Sequence, residues 1–264
     1  MSVNFTIKGR LGNAIFRYMA CSILCIIDNK KYNYPKKIND KPNHNLNDQE
    51  FFDIAIKLLN NEEVILKDEN YILTEFYQHD IIYKFFKNKI INFVNNNPEH
   101  IIATDGINAG DGRIETFKMY DIINTNVNFN KKYKNVLHLR LEDFVQYNLY
   151  LPVSRILQLL KKNVITNNIC IVCKQPQSKF ENNYIQIIKD FLNKNNIITY
   201  IEHNDILTDY YIMKESEILI CSKSTLSWCA AFFSKTIKQC YLPDYEEQPK
   251  IMTCKKPIDN TCLY

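Results

Sequence analysis

"NICIVCKQPQSKFENNYIQIIKDFLNKNNIITYIEH", residues 168–203, sets two strand-like runs on either side of an amphipathic helical one. "NICIVCK" reads as a strand, "FENNYIQIIKDFLNKN" as a helix with one apolar face, and "IITYIEH" as a second strand. The rhythm extends in both directions. Upstream lie a strand, "NVLHLRLEDF" (135–144), and a helix, "PVSRILQLLKKN" (152–163), with Pro152 near its first turn. Downstream come a helix "LTDYYIMKES", a strand "EILICSK", a helix "STLSWCAAFFSK" and a last strand "IKQCYLP", together spanning 207–243. Strands alternating with helices predict a parallel sheet covered on both faces.

The first half opens the same way. "VNFTIK" (3–8) reads as a strand and "AIFRYMACSILCIID" (14–28) as a largely buried helix. Residues 30–47 are polar and proline-bearing, a loop with a short strand. "DQEFFDIAIKLLNN" (48–61) reads as a helix with Asp48 as its cap. "NYILTEFYQHD" (70–80) reads as a strand leading into the helix "IIYKFFKNKIINFVNNN" (81–97), which Pro98 closes. The polar stretch "INTNVNFNKKYKN" (123–135) is the expected boundary between two α/β domains, 1–130 and 131–264.

Composition narrows the function. The chain has 264 residues, 46% hydrophobic and 23% charged, with a formal charge of +4, as expected of a soluble globular protein. Its basic residues are dispersed, and its 17 Tyr and 15 Phe fall at core-like spacing, which argues against a nucleic-acid-binding face. No charged leader opens the chain, and no apolar run approaches the ~18 residues that span a bilayer. With nine cysteines, an odd number, the expectation is a cytoplasmic protein with free thiols. Cys170 and Cys173 lie three apart on a strand, so they point to opposite faces and share no metal.

Only five glycines occur, and all fall in two loops: Gly9 and Gly12, then Gly106, Gly110 and Gly112. The first, "GRLGN", lacks the spacing of either a Walker loop or a dinucleotide fingerprint. Two other constellations carry more chemistry. In "HLRLED", His138 and Arg140 project from one face of a strand end, where they need a partner such as a phosphate or an internal carboxylate. In "CSKSTLSW", hydroxyls at Ser222, Ser224, Thr225 and Ser227 gather where a strand meets a helix start. That is an anion site, or one N-cap with neighbours. Asp209 reads as a helix cap or first-turn acid, with contact to a base edge or an Arg as the further reading and capping the one the pattern favours.

These blocks together resemble the α-1,2-fucosyltransferase family. "GRLGNAIFRY" (9–18) is similar to its opening "GRLGNQxFQY", and "HLRLED" to the H-x-R-x-G-D motif shared with the wider GDP-fucose-dependent group. "DYYIMKESEILICSKSTLSWCAAFF" (209–233) is similar to its third block, and "EFYQHDIIYKFF" (75–86) is a weaker echo of another segment. The resemblance implies a GT-B-like enzyme, two Rossmann-like domains facing a central cleft. It implies an inverting, metal-independent transferase that moves fucose from GDP-fucose to a hydroxyl of a glycan acceptor and needs no cofactor. The N-terminal domain would take the acceptor and the C-terminal domain the nucleotide sugar. Arg140 would bind the β-phosphate, His138 and Asp209 would lie near the guanine, and Ser224 and Thr225 would hold the diphosphate, with Ser222 and Ser227 as further donor-binding candidates. Gly9, Arg10, Gly12 and Asn13 would close over donor and acceptor.

Asp143 is the first candidate for general base, with orientation of Arg140 as its other reading; Glu142 and Asp111 are further candidates. Several positions depart from the family pattern. A second Arg is replaced by Leu141 and the motif glycine by Glu142, while Ala14 and Arg17 stand where the opening signature has Gln. The departures admit two other readings: the same fold with a rhamnose or other deoxysugar donor, or a sugar-nucleotide-binding protein without catalysis.

Overall fold

The computed structural model describes residues 2–7, 9–28, 30–33, 44–66, 70–105, 114–124, 132–162, 164–244 and 256–264. The second glycine loop, with Gly106, Gly110, Asp111 and Gly112, lies outside these residues, as does most of the 123–135 stretch. The chain divides into two compact units, Met1–Thr125 and Asn126–Tyr264.

Unit 1 is built on a four-stranded parallel sheet. In chain order its strands are β1 (Ser2–Phe5), β2 (Lys31–Tyr32), β3 (His44–Leu46) and β4 (Tyr71–Leu73), arranged β2-β1-β4-β3. Helix α1 (Leu11–Asp28) returns the chain from β1 to β2, and α2 (Asp48–Leu59) and α3 (Asp80–Asn96) follow β3 and β4. A feature not foreseen is an antiparallel hairpin, β5 (Ile101–Asp105) with β6 (Ile114–Lys118), followed by the short α4 (Met119–Asn124).

By length and composition α1 would suffice to cross a membrane, contrary to the expectation that no apolar run comes close. It is the core helix of unit 1, buried from Leu11 to Cys25 except at Asn13. Its Arg17 is fully buried. The Nε donates to the Glu75 carbonyl at 2.9 Å and Nη1 to the Thr6 carbonyl at 3.2 Å, tying the chain leaving β1 to that leaving β4. Burial lowers the Arg17 pKa to about 10, which still leaves the guanidinium charged at neutral pH. The departure at this position is therefore a structural cation inside unit 1.

The cap of α2 is Asn47 rather than Asp48: its side chain accepts from Glu50 N while Glu50 bonds back, a capping box. Asp48 is the first helical residue, and its carboxylate lies 3.1 Å from His79 Nε2.

Unit 2 carries a six-stranded, wholly parallel sheet in the order β12-β11-β10-β7-β8-β9. The strands are β7 (Asn135–His138), β8 (Asn168–Val172), β9 (Ile198–Glu202), β10 (Ile218–Ile220), β11 (Gln239–Leu242) and β12 (Thr261–Leu263). The helices are α5 (Glu142–Gln146), α6 (Val153–Leu160), α7 (Lys179–Lys194), α8 (Ile206–Lys214) and α9 (Thr225–Phe233). The chain winds outward from β7 through β8 to β9, then returns to β10 and winds the other way. Right-handed crossovers in opposite directions put helices on opposite faces. Helices α6 and α7 pack together over a core including Leu137, Ile169, Ile171 and Ile188, while α8 packs on α9. Strand β12, which the sequence reading did not include, extends the sheet past β11.

Candidate active site

The strand order of unit 2 reverses between β7 and β10, and such a switch point opens a crevice at the carboxyl ends of the strands. The two constellations of the sequence sit there. "HLRLED" follows β7, and "SKSTLSW" follows β10.

The first strand is shorter than expected. β7 ends at His138, and α5 begins at Glu142, so Arg140 lies on the connecting turn and not on one strand face with His138. His138 is buried, and Ser222 Oγ lies 3.0 Å from its Nδ1, joining the ends of β7 and β10 across the switch point. Burial and the nearby Arg140 charge push the imidazole pKa down to about 3. His138 is therefore neutral at physiological pH, a hydrogen-bonding group and not a cation.

Arg140 is held from below. Its Nε and Nη2 donate to the two carboxylate oxygens of Asp143, each at 3.1 Å, and the guanidinium stacks 4.9 Å from the Phe144 ring centre. This fork fixes the plane of the guanidinium. It matches the second of the two readings of Asp143, the one in which this carboxylate orients Arg140.

Glu142, at the motif's glycine position, has φ 29°, in the left-handed region that favours glycine. Its carboxylate lies 3.9 Å from Lys174 Nζ. Glu142→Gly is expected to raise stability by roughly 0.5–1 kcal/mol, read as a higher denaturation midpoint. A loss of stability would show that the Lys174 contact outweighs the strain.

The hydroxyl cluster divides its labour. Ser224 caps α9, accepting from Leu226 N at 3.3 Å. Ser227 is fully buried and donates to the Ser224 carbonyl at 3.1 Å, so it belongs to the helix interior and not to a ligand-facing surface. Ser222 is engaged with His138. Thr225 opens the helix. The phenol of Tyr264 donates to the Cys221 carbonyl at 2.8 Å and braces the turn before this cluster. Lys223, between Ser222 and Ser224, is buried as well, and the sequence reading passed over it. A lysine amid hydroxyls at a strand-to-helix turn was the available signal.

Asp209 is not the cap of α8. Asp205 is, accepting from Leu207 N and Thr208 N at 3.0 Å each. Asp209 sits in the first turn, where Asn204 Nδ2 donates to it at 3.2 Å. Burial raises its pKa to about 7. Because the folded value lies above the unfolded one, this carboxyl costs stability as pH rises from about 4 through 7. Asp209→Asn is expected to stabilise the protein by at least ~1 kcal/mol at pH 8 and to make no difference near pH 4. Parallel denaturation curves at the two pH values check this.

Cys173 follows β8, and its carbonyl lies 2.8 Å from His203 Nδ1. Burial lifts its thiol to about 12, so it is an unreactive thiol. Among the described residues no group of three or more His, Cys, Asp or Glu is placed to hold a metal ion.

The opening loop belongs to unit 1. Gly9 has φ 78°, in the left-handed region where a side chain is strained, and a Cβ there would lie 3.0 Å from Asn13 Nδ2, so glycine is favoured. Its N–H donates to Asp105 Oδ1 at 2.8 Å. Gly12 differs from expectation. Helix α1 starts at Leu11, three residues early, so Gly12 is a buried first-turn residue and the turn is shorter than "GRLGN". The Arg10 carbonyl accepts from Ala14 N at 3.1 Å, starting the helix, and Asn13 lies in its first turn.

No protein-family model and no curated protein matches the chain. Solved structures with some likeness include a GDP-bound mutant of Arabidopsis thaliana FUT1, 7% identical, covering 91% of this chain and 69% of that one with a TM-score of 0.47. Another is the Escherichia coli heptosyltransferase WaaC with ADP, 8% identical, covering 100% of this chain and 92% of that one with a TM-score of 0.44.

Proposed function

We propose that the chain is a GT-B-type glycosyltransferase that takes a nucleotide sugar in unit 2, with GDP-fucose as donor and a glycan hydroxyl as acceptor. The observation that carries the reading is the arrangement at the switch point. A guanidinium held in a fork by Asp143 follows β7, and a capped helix start with Thr225 follows β10. Oriented donors of this kind suit a diphosphate, the leaving group of a sugar nucleotide. The order of the sequence motifs supports the same assignment.

In the proposed reaction the acceptor oxygen forms a bond to the anomeric carbon from the face opposite the leaving group. The bond from that carbon to the β-phosphate oxygen breaks, its electron pair stays on the diphosphate, and the configuration inverts. The acceptor proton passes to solvent or buffer base. Arg140 and the α9 amides neutralise the charge that grows on the diphosphate, which removes the need for a divalent cation. Neutral His138 and Asp209 are the polar groups proposed to meet the base. Gly9, Arg10 and Asn13 are proposed to contact sugar and acceptor.

A second reading, a different deoxysugar donor such as a rhamnose nucleotide, is favoured by Leu141. Where the family pattern often carries a second cation, this side chain is apolar and buried. Donor breakdown measured with GDP-fucose, UDP-sugars and dTDP-sugars separates the readings. Fastest release of GDP upholds the first, and fastest release of another nucleotide replaces it. Nucleotide binding without breakdown or transfer across a broad acceptor panel would make the chain a binding protein.

A further inference from the structure

A cavity of about 460 Å³ lies in unit 2 beside the switch point; Lys223 lines it, but none of His138, Arg140, Asp209, Ser224 or Thr225 does. It is framed by the start of α6, the first half of α7 and Lys223. One wall is aromatic. Tyr150 and Phe180 meet edge to face with ring centres 5.0 Å apart, and the Tyr184 phenol is anchored to the Leu151 carbonyl at 2.6 Å. Phe180 is 41% exposed, so part of its ring is open to an incoming group. The other wall is cationic. Lys223 is 7% exposed, and Arg155 Nη1 donates to the Asp244 carbonyl at 3.4 Å. Both cations line this wall together with Asp244.

Rigid aromatic faces take up sugar rings and bases, and a partly desolvated Arg–Lys pair takes up a phosphate. The volume is that of a small-molecule site. We propose that this cavity is a second site, separate from the donor site, for a phosphorylated ring compound. The ring lies on Phe180 and Tyr150 and the phosphate between Arg155 and Lys223. In the turn after β10, Ser222 is committed to His138 and Lys223 to the cavity. Two adjacent residues thus touch the two sites.

The test is calorimetric titration of the full chain with ribose 5-phosphate, guanosine monophosphate and inorganic phosphate, each with and without saturating GDP. A ring phosphate is expected to bind in the presence of GDP, at least ~10-fold more tightly than inorganic phosphate. Phe180→Ala is expected to weaken it by a similar factor while leaving GDP affinity unchanged. Arg155→Gln serves the same purpose should Phe180→Ala fail to fold. Tighter binding of guanosine monophosphate than ribose 5-phosphate assigns a nucleotide, and equal binding assigns a sugar phosphate. The proposal is overturned if no probe binds, if GDP displaces the probe, or if the folded variant binds it as the unaltered chain does. Should GDP itself not bind, the titrations without it still decide this site, and the failure falls on the donor assignment alone.

Discussion

Arg140→Ala is expected to lower donor turnover by at least ~10²- to 10³-fold while the protein stays folded, because in the proposed reaction it deletes a preorganised cation facing the leaving group. The side chain lies beyond the end of β7 and contributes to no strand pairing, so its removal leaves the sheet intact. Asp143 then loses this contact, but it is only partly buried and remains open to water. Arg140→Lys separates charge from geometry. A lysine keeps the charge and loses the two-pronged contact with Asp143, so turnover should fall between the two. Asp143→Asn should act through Arg140, weakening donor affinity and turnover together without moving the pH profile as loss of a base would. Near-normal turnover by the folded Arg140→Ala protein would remove the assignment.

The second large effect concerns stability. Arg17→Met is expected to destabilise unit 1 by on the order of 3 kcal/mol or more, seen as an early transition in chemical denaturation. Methionine fills much of the volume but donates nothing, so the carbonyls of Thr6 and Glu75 lose their partner inside the protein. The cation also packs 5.2 Å from the Phe76 ring, a contact methionine replaces only in part. An effect below ~0.5 kcal/mol would mean that relaxation or water satisfies both carbonyls, and that Arg17 is not the tie between β1 and β4.

The alternating pattern made the parallel sheet of unit 2 legible, since buried parallel strands read as short apolar runs between amphipathic helices. Asn168–Val172 and Ile198–Glu202 fall within the strands expected from residues 168–203, and Lys179–Lys194 is the expected helix begun one residue early. Edges were less legible. "NVLHLRLEDF" looks like one strand, yet pairing stops at His138 and Glu142 takes a left-handed turn, which side-chain periodicity does not encode. Caps were misplaced by one residue at Asn47 and by four at Asp205, because a run holding several Asn and Asp offers more than one capping oxygen. The hairpin from Ile101 to Lys118 was missed, since "IETFK" is mostly exposed and lacks an apolar face. Of the site, the residue types were readable and their partners were not. The pairing of Asp143 with Arg140 was among the readings, but nothing in the spacing told that Ser222 bonds His138 or that Lys223 is buried.

The central claim is that the carboxyl ends of β7 and β10 hold the diphosphate of a sugar nucleotide without a metal. Calorimetric titration with GDP-fucose, GDP, UDP and dTDP, each with and without EDTA, tests it most directly. The account predicts that GDP-fucose and GDP bind more tightly than UDP or dTDP and that EDTA leaves their affinity unchanged. Absence of nucleotide binding, or binding that the chelator abolishes, would contradict it.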